Sequence, residues 1–399
     1  MCEGAALRMM SGPRGTELAR RVQEASRRYP VTHLSPLNQI THMVGVQAEK
    51  VEVIRRLLYG PTWRPRGMET RIAESKEEAE REIRDVTRGI EIYTDGSAQD
   101  GGVGAAAVML RGHREPWVAR KYLGKTTEHT VFEAECVGIL MALGKARKEL
   151  EKRKAQVVHI MVDNQAAIRR LGVGGKGPGD WIVKKIHKEQ ERIYSKFMWS
   201  TIELHWTPGH MGIQGNETAD TEAKQAAEGA RHNRESGGGG LCGAFPISRS
   251  AWKAECRTRR EREWVERARE SPRYTKFASI DPKYPKVASK NEIDDMPKRD
   301  QGLIHQLRTG HIPLNAYLHR FQREERNTCP RCLDALETVN HFLFACVATE
   351  AARRKLRGEL EEGKTLGEWV LGDRRMIKEV VEYAKETRRW EAEGYMAPR

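Results

Sequence analysis

GIEIYTDGSAQDGGVGAAAVML, residues 89–110, contains two strand-like runs, GIEIYTD and GAAAVML. VVHIMVD at 157–163 is a third and TIELHW at 201–206 a weaker fourth. Helical stretches lie between these runs, starting near Thr130, Asp163, Gly179 and Gly215. Strands first, followed by strands alternating with helices, predict an α/β layer structure. Open sheets of this kind keep their chemistry at the carboxyl ends of strands. Asp95 closes the first run and Asp163 the third, so both aspartates stand where a site is expected.

Working outward, residues 1–88 read as a polar, helical connecting segment, in which Ser75 and Glu78 form a capping-box start. Residues 89–230 form the α/β domain. Residues 231–250 contain four consecutive glycines (237–240) and read as a flexible linker. Residues 251–399 read as a helical, basic region, and the stretch 251–280 carries nine basic and five acidic residues. Such a run suits a solvated helix face. Trp252, Trp264 and Tyr274 among the basic residues also keep a nucleic-acid surface open.

Across 399 residues, 70 Lys+Arg against 56 Asp+Glu leave a formal charge of +14, which favours polyanionic partners. No stretch approaches the roughly 18 apolar residues of a spanning helix, so no membrane role is expected. MCEGAALRMMSGPRG at the start lacks an apolar secretion core, and seven sparse cysteines are too few and odd in number for a disulfide framework. Both point to a reducing, intracellular setting.

The carboxylates repay closer reading. On the helix beginning near Thr130, Phe132, Cys136, Ile139, Leu140 and Leu143 share one face, and Glu135 projects at its edge. Glu133 lies about 200° away and reads as a surface residue. A carboxylate turned toward a sheet is costly unless paired or bound to a cation. Asp220 borders a small-residue face made by Ala219, Ala223, Ala226 and Ala227, which lets its helix approach the sheet closely. Converging carboxylates suit Mg²⁺, and Mn²⁺ suits the same donors. Two such ions serve phosphodiester hydrolysis. Taken one by one, however, these positions also fit unrelated surface acids, and Asp163 fits a helix N-cap.

HWTPGHMGIQGNETAD at 205–220, taken with YTDGS at 93–97, FEAE at 132–135 and VDNQ at 162–165, closely resembles the ribonuclease H domain. The resemblance implies a mixed five-stranded sheet flanked by helices. It implies cleavage of the RNA strand of an RNA–DNA hybrid, leaving 5′-phosphate and 3′-hydroxyl ends. Asp95, Glu135, Asp163 and Asp220 would be ligands for two Mg²⁺ ions, and His210 would assist proton transfer or product departure. Gln165 matches a groove-reading position, while Gly101 and Val131 replace asparagines familiar in cellular members. Lys184, Lys185 and Lys188 suit phosphate contacts and suit a solvated face equally.

Cys329, Cys332, His341 and Cys346 follow a C-x2-C-x8-H-x4-C spacing, which suits one closed structural Zn²⁺ site. The arrangement is similar to the zinc-binding tail after ribonuclease H in fungal non-LTR retrotransposon polyproteins. VEVIRRLLYGPTWRP, in the N-terminal segment, resembles the connection between reverse transcriptase and ribonuclease H in the same elements. No polymerase YxDD motif is present. The competing reading is a non-catalytic nucleic-acid-binding fragment that uses its basic helices and zinc module.

Overall fold

The structure is a computed structural model. It describes residues 2–12, 17–18, 20–21, 24, 44–54, 68–86, 88–112, 114–152, 157–173, 177–209, 211–234, 241, 243–280, 284–285, 293, 295–357, 368–372 and 374–390. The chain divides into two compact units, Met1–Thr258 and Arg259–Arg399.

In the first unit the helices are α1 (Cys2–Met10), α2 (Lys76–Arg84), α3 (Val131–Leu150), α4 (Gln165–Val173), α5 (Asp180–Lys196) and α6 (Gln214–Ala227); α7 (Arg249–Glu270) contains the division. The strands are β1 (Glu69–Arg71), β2 (Ile90–Gln99), β3 (Gly102–Arg111), β4 (Arg114–Lys125), β5 (Val157–Val162) and β6 (Thr201–Trp206). They form one sheet in the order β1-β6-β5-β2-β3-β4. Strands β2, β3 and β4 pair antiparallel, while β5, β6 and β1 extend the sheet in parallel from β2. The sheet therefore has six strands rather than the expected five. The extra strand, β1, is three exposed polar residues, so nothing in its composition marks it as a strand.

Alternate residues of β2, β5 and β6 point to opposite faces of the sheet. Ile90, Ile92, Val158, Ile160, Ile202 and Leu204 pack under α3, α4 and α5. Tyr93, Val108, Val118 and Met161 pack with Ile83 of α2 and Ala219 of α6 on the other face. Helix α3 is covered nearly all round, from Glu133 to Ala146, and Thr130 begins it with a complete capping box. Strand β3 is small because helices press on both its faces. A Cβ at Gly104 would lie 2.2 Å from the Ala227 nitrogen of α6, and one at Gly138 of α3 would lie 2.9 Å from the Ala106 carbonyl. The alanine face expected on α6 thus serves close helix–sheet contact.

The N-terminal segment joins this fold through more than β1. Ala6, Leu7 and Met10 of α1 form a small core with Val44, Ala48 and Cys256, and the Trp252 indole donates to the Val44 carbonyl at 2.8 Å. Glu52 is fully buried and accepts backbone N–H groups from Gly179 at 2.7 Å and Arg249 at 2.8 Å. Burial, chiefly, pushes its carboxyl up to about 7. The four glycines of the expected linker, and Cys242, lie outside the described residues. Beyond them, Leu241 joins the main core and Phe245 stacks on Trp181 at 5.0 Å.

The second unit is mostly helical: α8 (Tyr274–Ala278), α9 (Lys298–Thr309), α10 (Asn315–His319), α11 (Glu350–Arg357) and α12 (Arg374–Glu386). Its own core includes Ile304, Leu307, Phe342, Val380 and Trp390. Among the described residues, no helix is long and apolar enough to cross a membrane.

Candidate functional site

β2 and β5 are parallel neighbours with Thr94 opposite Val162, so the residues that follow, Asp95 and Asp163, stand side by side; Asp163 follows the carboxyl end of β5, whereas Asp95 lies midway along β2, which runs on to Gln99 past the expected close of the run. The first turn of α3 crosses directly above: a Cβ at Gly96 would lie 2.5 Å from the Glu135 nitrogen. Only glycine admits that approach. The result is a group of three carboxylates, Asp95, Glu135 and Asp163, whose nearest oxygens all lie within 4.8 Å of one another. Asp163 is free to join because it does not cap α4. Asn164 does, accepting from the backbone N–H groups of Ala166 at 3.0 Å and Ala167 at 3.2 Å. The Trp206 indole donates to the Asp163 carbonyl at 3.0 Å and steadies the backbone there.

Asp220, on α6, is partly exposed, lies outside that group of three and pairs with Lys224 at 2.7 Å. Its charge nevertheless reaches the site, acting on Asp95 and Asp163.

Desolvation is the largest influence on these acids, and their mutual repulsion adds to it. Burial pushes the Asp95 carboxyl up to about 7, helped by the charges of Asp163 and Asp220. Burial likewise holds Glu135 well above the carboxylate range, reinforced by Asp163 and Asp95, although the Gly96 N–H partly offsets it. Asp163 is also raised by burial. Glu135 Oε2 and Asp163 Oδ1 are buried with no hydrogen-bond partner among the described residues. Like charges this close, with orphaned oxygens, fit a hard divalent cation, which supplies both the missing ligation and the missing charge.

The other predicted residues are distributed less tightly. His210 lies outside the described residues. Gln165 opens α4, half-buried, and accepts from Arg169 at 2.8 Å. On α5, Lys184 and Lys185 are half-buried and Lys188 is exposed, with the Lys185 ammonium 5.7 Å from the Trp181 ring centre. Gly101 forms the β2–β3 turn beside Asp100, both at positive φ.

Glu133 corrects the surface assignment. It is fully buried, caps α3 with Thr130 and accepts the Trp181 indole N–H at 2.9 Å. A helical wheel presumes one wet face, and α3 has none. Trp252 is likewise engaged inside the fold.

In the second unit, Cys329, Cys332, His341 and Cys346 present donor atoms within 4.8 Å of one another. Cys329 Sγ is 3.8 Å from Cys346 Sγ, and Cys332 Sγ is 3.4 Å from His341 Nε2. A tetrahedral Zn²⁺ with bonds of about 2.3 Å to sulfur and about 2.0 Å to nitrogen has edges of about 3.8 and about 3.5 Å. The first pair sits on a tight turn, with the Leu333 N–H donating to the Cys329 carbonyl and Leu333 at positive φ. Backbone N–H groups of Asp334 and Ala335 lower the Cys332 thiol, favouring thiolate. The second pair brackets a π-helical turn, His341–Ala345, anchored where the Tyr383 hydroxyl donates to the Phe342 carbonyl.

Residues 87–228 match the RNase H family, so the chain contains an RNase H domain with a mixed sheet and flanking helices. The Pol polyproteins of equine infectious anemia virus, strain Wyoming and isolate 1369, are each 34% identical over 146 residues. That stretch is 36% of this chain, and the chain spans only 11% of those relatives' length. Among solved structures, RNase H1 from Halobacterium salinarum NRC-1 is 15% identical, covering 35% of this chain and 97% of its own, with a TM-score of 0.26. LC11-RNase H1, solved in complex with an RNA/DNA hybrid, is 19% identical, covering 35% of this chain and 96% of its own, with a TM-score of 0.28.

Proposed function

We propose that the α/β domain, residues 89–230, hydrolyses the RNA strand of RNA–DNA hybrids, with Asp95, Glu135, Asp163 and Asp220 holding two Mg²⁺ ions. The observation that carries this reading is the buried trio of carboxylates with two orphaned oxygens, inside the segment that matches the RNase H family. When bound, two Mg²⁺ ions supply an activated water and charge for the leaving oxygen. The chain's own residues do the rest. Gly96 lets Glu135 approach Asp95 and Asp163, Asn164 releases Asp163 from capping, and Lys224 orients Asp220, which would complete the set that holds the ions. His210 exchanges the proton at the departing oxygen, as imidazole does near neutral pH. Gln165 contacts the RNA 2′-hydroxyl in the minor groove, and Lys184, Lys185 and Lys188 hold phosphates.

Cys329, Cys332, His341 and Cys346 hold one Zn²⁺ whose task is to fold the second unit. The tail and the N-terminal segment carry the stamp of a non-LTR retrotransposon polyprotein, of the fungal kind, acting inside the cell. The domain reading keeps 1–88 as the N-terminal segment, 231–250 as a connection and 251–399 as the basic, zinc-bearing region.

A gel assay with labelled hybrid, duplex DNA and duplex RNA, with and without Mg²⁺, tests the reading. Mg²⁺-dependent cleavage of hybrid RNA alone, lost in Asp95→Asn, is expected. Folded protein that leaves the hybrid intact overturns it. The pairing of Asp220 with Lys224 favours the second reading, an idle site on a nucleic-acid-binding fragment. Binding with a steep salt slope but no turnover would establish that one.

A further inference from the structure

Strands β5 and β6 carry a second convergence of metal-ligating side chains, remote in kind from the carboxylate site. His159 of β5 stands opposite Glu203 of β6, and His205 lies two residues further along the same face. All three are buried. His159 Nδ1 is 3.0 Å from His205 Nε2, His205 Nε2 is 3.0 Å from Glu203 Oε2, and His159 Nδ1 is 3.4 Å from the same oxygen. We propose that His159, Glu203 and His205 form a transition-metal site, taking Zn²⁺ through two imidazole nitrogens and one carboxylate oxygen.

Three observations support the assignment. The first is the triangle itself. A tetrahedral ion with bonds of about 2.0–2.1 Å spaces its ligand atoms about 3.3 Å apart. The three measured separations bracket that value.

The second is the tautomer of His159. Its Nε2 lies 3.1 Å from the Arg88 carbonyl, an acceptor only, so that nitrogen carries the proton. In the neutral ring, Nδ1 then turns a bare lone pair toward His205 and Glu203. A ring N–H given to a backbone carbonyl, with the other nitrogen facing the ion, is the usual support for a metal-binding histidine.

The third is charge. Glu91, opposite His159 on β2, and Glu203 both lie beside the rings, and Arg71 forks onto Glu203 at 3.0 and 3.2 Å. Carboxylates on two neighbouring strands thus face the imidazoles, a setting that favours a bound cation. Arg71 and Glu69 lie on edge strand β1 and are about half exposed, so the ion has a way in.

The ion would pin β5 to β6 beside Arg71, on the outer parallel part of the sheet. No step of hybrid cleavage depends on it, so the test reads metal content rather than turnover. Full-length protein, supplied with Zn²⁺ and with Mg²⁺ in excess to occupy the carboxylate site, is desalted and its zinc counted by mass spectrometry. His205→Gln and His159→Gln, checked for folding by circular dichroism, are expected to hold one equivalent less than the unaltered chain. Equal zinc in folded variants and unaltered protein overturns the proposal. If both variants unfold, nitrogen-15 spectra of the unaltered protein decide. Zinc moves the His205 proton from Nε2 to Nδ1, whereas a purely hydrogen-bonded triad keeps it on Nε2 whatever the zinc supplied.

Discussion

Replacing Asp95 by asparagine is expected to destroy cleavage while making the metal-free protein more stable. The carboxyl is almost wholly buried and sits at about 7 against an ordinary 3.8. At about 1.4 kcal/mol per unit, a rise of about three units sets a ceiling of about 4 kcal/mol. Because Glu135 and Asp163 share that repulsion, about 2 to 4 kcal/mol is expected for the single change. The sign follows from linkage. A carboxyl raised in the folded state contributes its full stability below the unfolded value and loses it as pH climbs through the folded one. The unaltered protein therefore weakens between about pH 4 and about pH 7 in a way the Asp95→Asn variant does not. Urea unfolding in Mg²⁺-free buffer at both ends of that window measures the effect. Comparing the two proteins at each pH cancels every group they share, including the cysteines of the second unit. The gap should be near zero in acid and open to a few kcal/mol above neutrality, then close again when Mg²⁺ stabilises only the unaltered site. A gap that is the same at both pH values, or that Mg²⁺ leaves untouched, would refute the reasoning.

Three further outcomes follow from the geometry. Gly96→Ala pushes a methyl onto the Glu135 backbone, so it should cost about 1–3 kcal/mol in thermal unfolding and lower the cleavage rate together with it. Asn164→Ala removes both N-terminal acceptor bonds of α4 and should cost about 1 kcal/mol by the same measurement. Cys332→Ser should lose one tightly held zinc equivalent and abolish the unfolding transition of the second unit, while the transition shifted by Asp95→Asn persists; zinc counting and calorimetry read the two effects.

Much of this arrangement was legible from residue order because each feature has a local cause. Asp95 and Asp163 end apolar runs, Ser75 and Glu78 cap a helix, and the cysteine spacing needs no long-range knowledge. What escaped has non-local causes. Strand β4 is an edge strand whose REPWVARKYLGK alternates poorly between buried and exposed positions, so no period of two marks it. Glu133 looked wet because the covering Trp181 comes 48 residues later. His159 and His205 lie within runs read simply as strands, and only the parallel register of β5 with β6 brings their rings together. Asp163 fits two readings in the sequence, and only the folded geometry shows Asn164 doing the capping.

Glu52 has a practical corollary for anyone isolating the catalytic unit. The family match begins at residue 87, yet this carboxylate, well upstream, accepts from the residue preceding α5 and from the first residue of α7. It acts as a splint, set before the domain and joining two helix starts on either side of residue 228. A fragment trimmed to 87–228 loses the splint, and with β1 it loses the cover on the outer edge of β6. An exposed parallel edge of that kind invites pairing between molecules. The minimal soluble fragment is therefore set by Glu52 and Arg249, not by the borders of the motif, and a trimmed clone that aggregates would say nothing against the catalytic residues.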